Sequence, residues 1–161
     1  MVRGMQSQGI AASVKHFACN NKETCRFESD SRVSERALRE IYLKGFAYVV
    51  TVQQPLSIMT SYNLINGVHA ANNYDLCTKV ARDEWGFKGV IMTDWTTTQW
   101  GDDCTASGCM RAGNDLVMPG VPADHENIRQ ALADGSLSIE ELKLAVSHLL
   151  PVVFQSDRYE D

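Results

Sequence analysis

Residues 76–95 read LCTKVARDEWGFKGVIMTDW, and their pattern sets the fold class. Apolar and charged residues alternate at helical spacing in the first half, which predicts a helix over residues 73–86 that stops at Gly86. A Gly-Phe-Lys-Gly turn follows. Residues 88–94, KGVIMTD, are then a short apolar run suited to a strand covered on both faces. The run breaks off into Thr93-Asp94-Trp95, side chains able to bind or react where a buried strand would end. A helix, a tight turn and a buried strand with a polar end make the repeating unit of a parallel α/β sheet.

The same unit recurs on both sides. Toward the N-terminus, residues 10–18 predict a strand and residues 33–50 a helix, with Leu38, Ile41, Tyr42, Gly45, Phe46 and Val49 at steps of three and four. Residues 56–61 follow Pro55 and predict a second strand. Toward the C-terminus, a short helix over residues 103–112 ends at Gly113, and residues 114–118 predict a strand stopped by Pro119-Gly120. A helix over residues 124–134 ends at Gly135. Ser138 with Glu141 makes a capping box, which starts a last helix expected to run to Leu150, where Pro151 interrupts it. The remaining stretch, residues 151–161, reads as a polar tail. The order is βαβαβαβα, an α/β class with parallel strands and about four βα units.

Ligands in parallel α/β folds bind beyond the C-terminal ends of the strands. Here those ends carry Lys15-His16, Thr60-Ser61-Tyr62-Asn63 and Thr93-Asp94-Trp95. Together they supply a cation, an imidazole, a phenol, a carboxylate and an indole. That set suits a carbohydrate, whose hydroxyls take charged and amide groups and whose apolar ring face takes an aromatic. Each member also has a plainer reading. Lys15 alone is a solvated surface charge, His16 a satisfied structural histidine, and Asp94 the N-cap of the next helix.

Composition narrows the class. With 15 Lys and Arg against 20 Asp and Glu, the formal charge is −5 and no basic cluster appears, so nucleic acid is not an expected partner. No apolar stretch is long enough to span a bilayer, and no membrane association is expected. The N-terminal MVRGMQSQG lacks the apolar run of a secretory signal. Five cysteines, Cys19, Cys25, Cys77, Cys104 and Cys109, form no CxxC pair. They are expected as free thiols rather than disulfides or metal ligands, which favours a reducing, cytoplasmic setting. No metal and no cofactor is expected, and no GxGxxG or phosphate-binding loop is present.

The segments KHFACNNKETCR, VSERALREIYLKGF, IMTSYNLINGVHAANN, LCTKVARDEWGFKGVIMTDW and AGNDLVMPG resemble glycoside hydrolase family 3 in order and spacing, from about residue 3 to residue 150. The resemblance implies the later half of a (β/α)8 barrel domain over residues 1–150. It implies a retaining, exo-acting β-glucosidase type of hydrolysis with Asp94 as nucleophile. Thr93 stands where Ser is commoner before that Asp. Lys15 and His16 would hold sugar hydroxyls, and Arg26 would orient substrate and nucleophile. Tyr62 would lie close to Asp94, Trp95 would flank the next subsite, and Met59 would line the pocket. The loop KHFACNN has no His after Phe17, which favours a β-glucosidase over an N-acetylglucosaminidase. β-Xylosidase, another exo-glycosidase activity, or a sugar-binding segment without turnover are the alternatives.

The resemblance also implies what lies elsewhere. The acid/base Glu of the family sits on a separate sandwich domain, and further substrate-gripping residues sit on the earlier barrel half. Asp102, Asp103 and Asp115 match no acid/base motif, and Asp115 is expected to support the Gly113 to Gly120 loop. The expected partners are therefore an oligosaccharide or β-glucoside substrate, and the complementary barrel half and sandwich domain. Self-association through open strand edges is the other expectation. The chain alone is expected to be inactive or very weak.

Overall fold

The computed structural model describes residues 1–100 and 103–156. Its centre is a parallel sheet of β1 (Ser13–Phe17), β3 (Ser57–Thr60) and β6 (Val90–Met92), in that spatial order. Ser13 and Val14 pair with Ser57 and Ile58, and Ser57, Ile58 and Met59 pair in turn with Val90, Ile91 and Met92. Every residue of β3 is buried, as the central strand's unbroken apolar pattern requires. Helices connect the strands, so the chain has the expected α/β architecture.

Three helical segments differ from expectation in informative ways. Residues 33–50 do not form one uniform helix. Ser34 caps α2 (Glu35–Ala37), a wider π-helical turn covers Leu38–Tyr42, and α3 (Lys44–Gln53) follows. The wide turn arises where Leu43 N–H donates to the Leu38 carbonyl five residues back at 2.8 Å. It leaves Leu43 buried in the main core. The helix predicted over residues 73–86 spans Asp75–Glu84 and is π-helical as well. A short helix, α1 (Val2–Gln6), was not anticipated; the Gln6 side chain ties it to Gln54 O and Leu56 N at 3.2 and 2.9 Å.

The strand expected over residues 114–118 shrinks to a single bridge between Leu116 and Met92. Side chains have taken the places of ladder partners. The Ile91 N–H donates to Asp115 Oδ2 at 2.8 Å, and the Met118 N–H donates to Thr93 Oγ1 at 2.9 Å. Leu116 still runs alongside β6, so the sheet has four parallel positions.

The C-terminal helices are α4 (Ala106–Ala112), α5 (Pro122–Ala133) and α6 (Ile139–Phe154). Thr105 caps α4, and Gly113, at φ 84, ends it in the left-handed conformation. The capping box of Ser138 and Glu141 starts α6 as read. Pro151 does not interrupt it. The ring removes one helical N–H, but the Pro151 carbonyl still accepts from Gln155 N at 3.3 Å, and the helix continues to Phe154. Residues 157–161 of the expected tail lie outside the described residues.

Two apolar clusters hold these layers together. One packs Phe17, Leu43, Val50, Ile58, Leu76, Phe87 and Ile91 between sheet and helices. Phe17 is its centre, with ring centroids 5.0 Å from Phe46 and 5.9 Å from Trp85. The other packs Cys109, Met110, Ala131, Leu137 and Ala145 beneath α4 to α6. Gly89 is required where β6 enters the sheet, because a Cβ there would collide with the carbonyls of Pro55 and Leu56. All five cysteines are free, and Cys25 alone of them is exposed. No helix among the described residues is long and apolar enough to cross a membrane.

A second small sheet positions the loop that matters most. β2 (Asp30–Ser31) pairs with β4 (Leu64–Ile65), which turns back into β5 (Val68–His69) through Asn66-Gly67. Both turn residues have positive φ, 51 and 87, as a two-residue hairpin demands. Asn66 also grips Val33 through both its backbone groups at 2.9 Å, and Asp30 accepts from Gly67 N at 2.9 Å. The chain between Cys19 and Ser29 is thereby anchored at its far end, beside the strand ends.

Candidate active site

Asp94 follows β6 by two residues and is 9% exposed. Its Oδ1 accepts from the Trp95 N–H at 2.8 Å. Its Oδ2 lies 3.3 Å from His16 Nε2, brought from the end of β1 two strands away. The N-cap reading of Asp94 is not what the geometry gives. The short 3₁₀ turn that follows, Thr97–Gln99, is preceded by Thr96, and only the neighbouring Trp95 N–H is satisfied by the carboxylate.

Tyr62, beyond the end of β3, closes the group. Its hydroxyl donates to the Trp95 carbonyl at 2.8 Å and sits against the Asp94 carboxylate. Burial, and then the Asp94 charge, push the phenol up from 10.0 to about 12. The neutral form is thus favoured in the folded state. The associated stability is present in full below pH 10 and is lost as pH rises toward 12. Ultraviolet difference titration of wild type against Tyr62→Phe should therefore show the Tyr62 phenolate only above about pH 11. A Tyr62 transition near pH 10 would show an unburied phenol.

Arg26 enters from the Cys19–Ser29 loop, but it does not pair with Asp94. Its Nη1 donates to Glu23 Oε2 at 2.9 Å, and Glu23 also accepts from Asn20 Nδ2 at 2.8 Å. The Asn20 and Arg26 hydrogen bonds hold the Glu23 carboxyl below its usual range. The guanidinium lies over the Tyr62 ring at 4.7 Å from its centroid. Among the described residues, Arg26 is thus linked to the carboxylate through the Tyr62 ring.

A family model described as "Glycosyl hydrolase family 3 N terminal domain" matches residues 1–152. The chain belongs to glycosyl hydrolase family 3. Among its curated relatives, an exo-alpha-(1->6)-L-arabinopyranosidase of Bifidobacterium longum is 44% identical over 153 residues, 95% of this chain and 19% of that protein. Beta-glucosidase B of Emericella nidulans is 44% identical over 132 residues, 82% of this chain and 15% of that protein. The solved beta-glucosidase 3B from Thermotoga neapolitana, in complex with glucose, matches with a TM-score of 0.89 and 44% identity over 96% of this chain and 22% of that one. The chain spans about a fifth of the length of these proteins. Its fold is part of the family 3 (β/α)8 barrel.

Of the residues read from the family 3 motifs, His16, Tyr62, Asp94 and Trp95 come together directly, and Arg26 joins through the Tyr62 ring. Lys15 is exposed beside His16 and has no hydrogen-bond or ion-pair partner among the described residues. Met59 is buried in β3 and alternates with Ile58, so it points to the sheet face away from the main core. Trp95 is 53% exposed.

Asp115 lies away from this group. It pairs with Arg82 and, at 2.7 Å, with His148 of α6, besides accepting from Ile91 N. It supports the segment after Gly113, as read, by tying it to β6 and to two helices. Phe27 and Trp100 were missed. Phe27 packs edge-on against Tyr62 with centroids 4.5 Å apart, and Trp100 stacks on Phe27 at 4.6 Å. The available signal was an aromatic next to Arg26 and a second Trp shortly after Asp94.

Proposed function

We propose that residues 1–150 are the later half of a barrel domain and carry the nucleophile of a retaining exo-glycosidase acting on terminal β-D-glucosyl residues. The observation that carries this reading is the Asp94 carboxylate at a strand end, with Oδ1 fixed by a backbone N–H and Oδ2 turned to His16. Asp94 Oδ2 attacks the anomeric carbon and forms a glycosyl ester as the bond to the leaving oxygen breaks. A protonated carboxyl group gives that oxygen its proton, and the same group then activates the water that hydrolyses the ester.

The two carboxyl groups of a retaining site stand about 5–5.5 Å apart. Glu23, whose charge reaches Tyr62 and His16, is committed to Asn20 and Arg26 and sits at low pKa, the wrong state for an acid. In this reading the acid comes from outside the 161 residues. Lys15, with its ammonium uncommitted, and His16 hold hydroxyls of the sugar being cleaved; Met59 lines the pocket. Tyr62 and Arg26 keep the nucleophile aligned, and Trp95 flanks the leaving group. Among the described residues β1 pairs on one side only, and its other edge is where the rest of a barrel, or a second copy of the chain, pairs.

The substrate class is supported by the several curated relatives named beta-glucosidases. A second reading, another exo-glycosidase specificity, is favoured by the Bifidobacterium longum relative named for L-arabinopyranosides. The full-length protein, assayed on 4-nitrophenyl β-D-glucopyranoside, β-D-xylopyranoside and α-L-arabinopyranoside, should prefer the glucoside. Proton NMR of the first product should show the β-anomer before mutarotation. First release of the α-anomer would mean inversion and would remove the nucleophile role.

A further inference from the structure

Trp100 is the large aromatic beside the site that the reaction as described does not use. Its indole N–H donates to Thr96 Oγ1 at 2.9 Å, and one ring face stacks on Phe27 at 4.6 Å with planes 20° apart. The ring is thus held in orientation at its edge and on one face, yet the residue is 55% exposed. Aromatic rings contribute most when both faces are covered, so a fixed ring with an open face is a surface prepared for a ligand.

The neighbouring backbone supports this. Thr96 is a β-branched residue at φ 62, a conformation such residues seldom adopt and one that clusters at binding sites. The turn it makes separates the two exposed indoles. The Thr96 hydroxyl donates to the Trp95 carbonyl at 2.6 Å while accepting from Trp100, so a single side chain couples both. The order of contacts sets the distance. Tyr62 touches Asp94, Phe27 stands against Tyr62, and Trp100 stands against Phe27. Trp100 is therefore two ring contacts out from the nucleophile's partner, where the second ring of a disaccharide would lie rather than the first. Arg26 lies over the Phe27 ring at 5.2 Å from its centroid and is paired with Glu23, so a polar group adjoins Phe27.

We propose that Trp100, backed by Phe27, is a specificity-determining residue that stacks on the pyranose ring of the leaving group. The proposal rests on the glycosidase reading above. It is tested in the full-length protein with β-glucosyl fluoride, which has no leaving-group ring, and with the β-(1→4)- and β-(1→3)-linked glucose disaccharides. Trp100→Ala should lower kcat/KM on at least one disaccharide by about tenfold and leave the fluoride within about twofold. Trp100→Phe, which keeps a stacking ring, should recover most of the loss. A merely structural role would lower all substrates together, and that result overturns the inference. So does an unchanged disaccharide rate, or a wild type that cleaves the fluoride but neither disaccharide. A wild type inactive on all three overturns the glycosidase reading itself.

Discussion

Replacing Asp94 by Asn should lower kcat of the full-length protein on aryl β-glucosides by about 10⁴-fold or more. Asn is isosteric, and its side-chain oxygen still accepts the Trp95 N–H, so the local fold is kept. What is lost is the ionised oxygen facing His16, the atom that must form the ester. The loss should fall on kcat rather than on binding, because the amide occupies the same volume. Azide added to Asp94→Gly should restore turnover by attacking from the vacated position, and the product should be the α-glucosyl azide. A variant that keeps more than about a tenth of wild-type kcat would place the nucleophile elsewhere.

The largest stability effect is expected at Asp115, far from that chemistry. Its side chain is 1% exposed and accepts from Arg82, His148 and the Ile91 N–H. Arg82 is itself 11% exposed and also donates to the carbonyls of Phe87 and Gly89 at 3.2 and 2.9 Å. Burial holds its guanidinium below the usual arginine range even beside Asp115. Asp115→Ala would leave that cation buried without a counter-charge, which costs about 3–5 kcal/mol. Thermal unfolding of the barrel domain should shift down by about 10 °C. Exposed pairs such as Arg36–Glu40 and Lys143–Glu140 contribute about 0–1 kcal/mol, and their removal should barely register. A shift of under about 2 °C for Asp115→Ala would mean that water reaches the Arg82 guanidinium.

These two effects separate along the strands. Asp94 stands past the C-terminal end of β6, and Asp115 reaches Ile91 inside it. Barrels of this type place chemistry at the first location and stability near the other end. That division made much of the chain legible in its sequence. The runs Val90-Ile91-Met92 and Ser57-Ile58-Met59 could only be buried strands, and the reactive residues after them could only lie at one rim.

What was not legible depended on contacts between distant segments. Residues 114–118 have a strand's composition, but Asp115 and Thr93 side chains replace ladder bonds that spacing cannot reveal. Pro151 reads as a stop, yet α6 continues through it, because in a last turn only one hydrogen bond is forgone. The Asn66-Gly67 dipeptide is a strong hairpin signal, but the two-residue strands beside it carry too little alternation to mark a sheet. Motifs named Arg26 but not its link to Asp94, since the Tyr62 ring between them comes from the segment after β3. Trp100 escaped because an exposed Trp has no pattern until Phe27 is seen behind it.

In the proposed reaction Asp94 forms a covalent bond to the sugar. A 2-deoxy-2-fluoro-β-glucosyl fluoride needs a nucleophile but little help from an acid, since fluoride leaves readily. The electron-withdrawing fluorine at C2 slows hydrolysis of the ester so that it accumulates. Intact and peptide mass spectrometry of the treated full-length protein should find one fluoroglucosyl group per chain, on the peptide containing Asp94, and none on Asp94→Asn. An adduct on a different residue, or no adduct in a protein that turns over β-glucosides, would contradict the account.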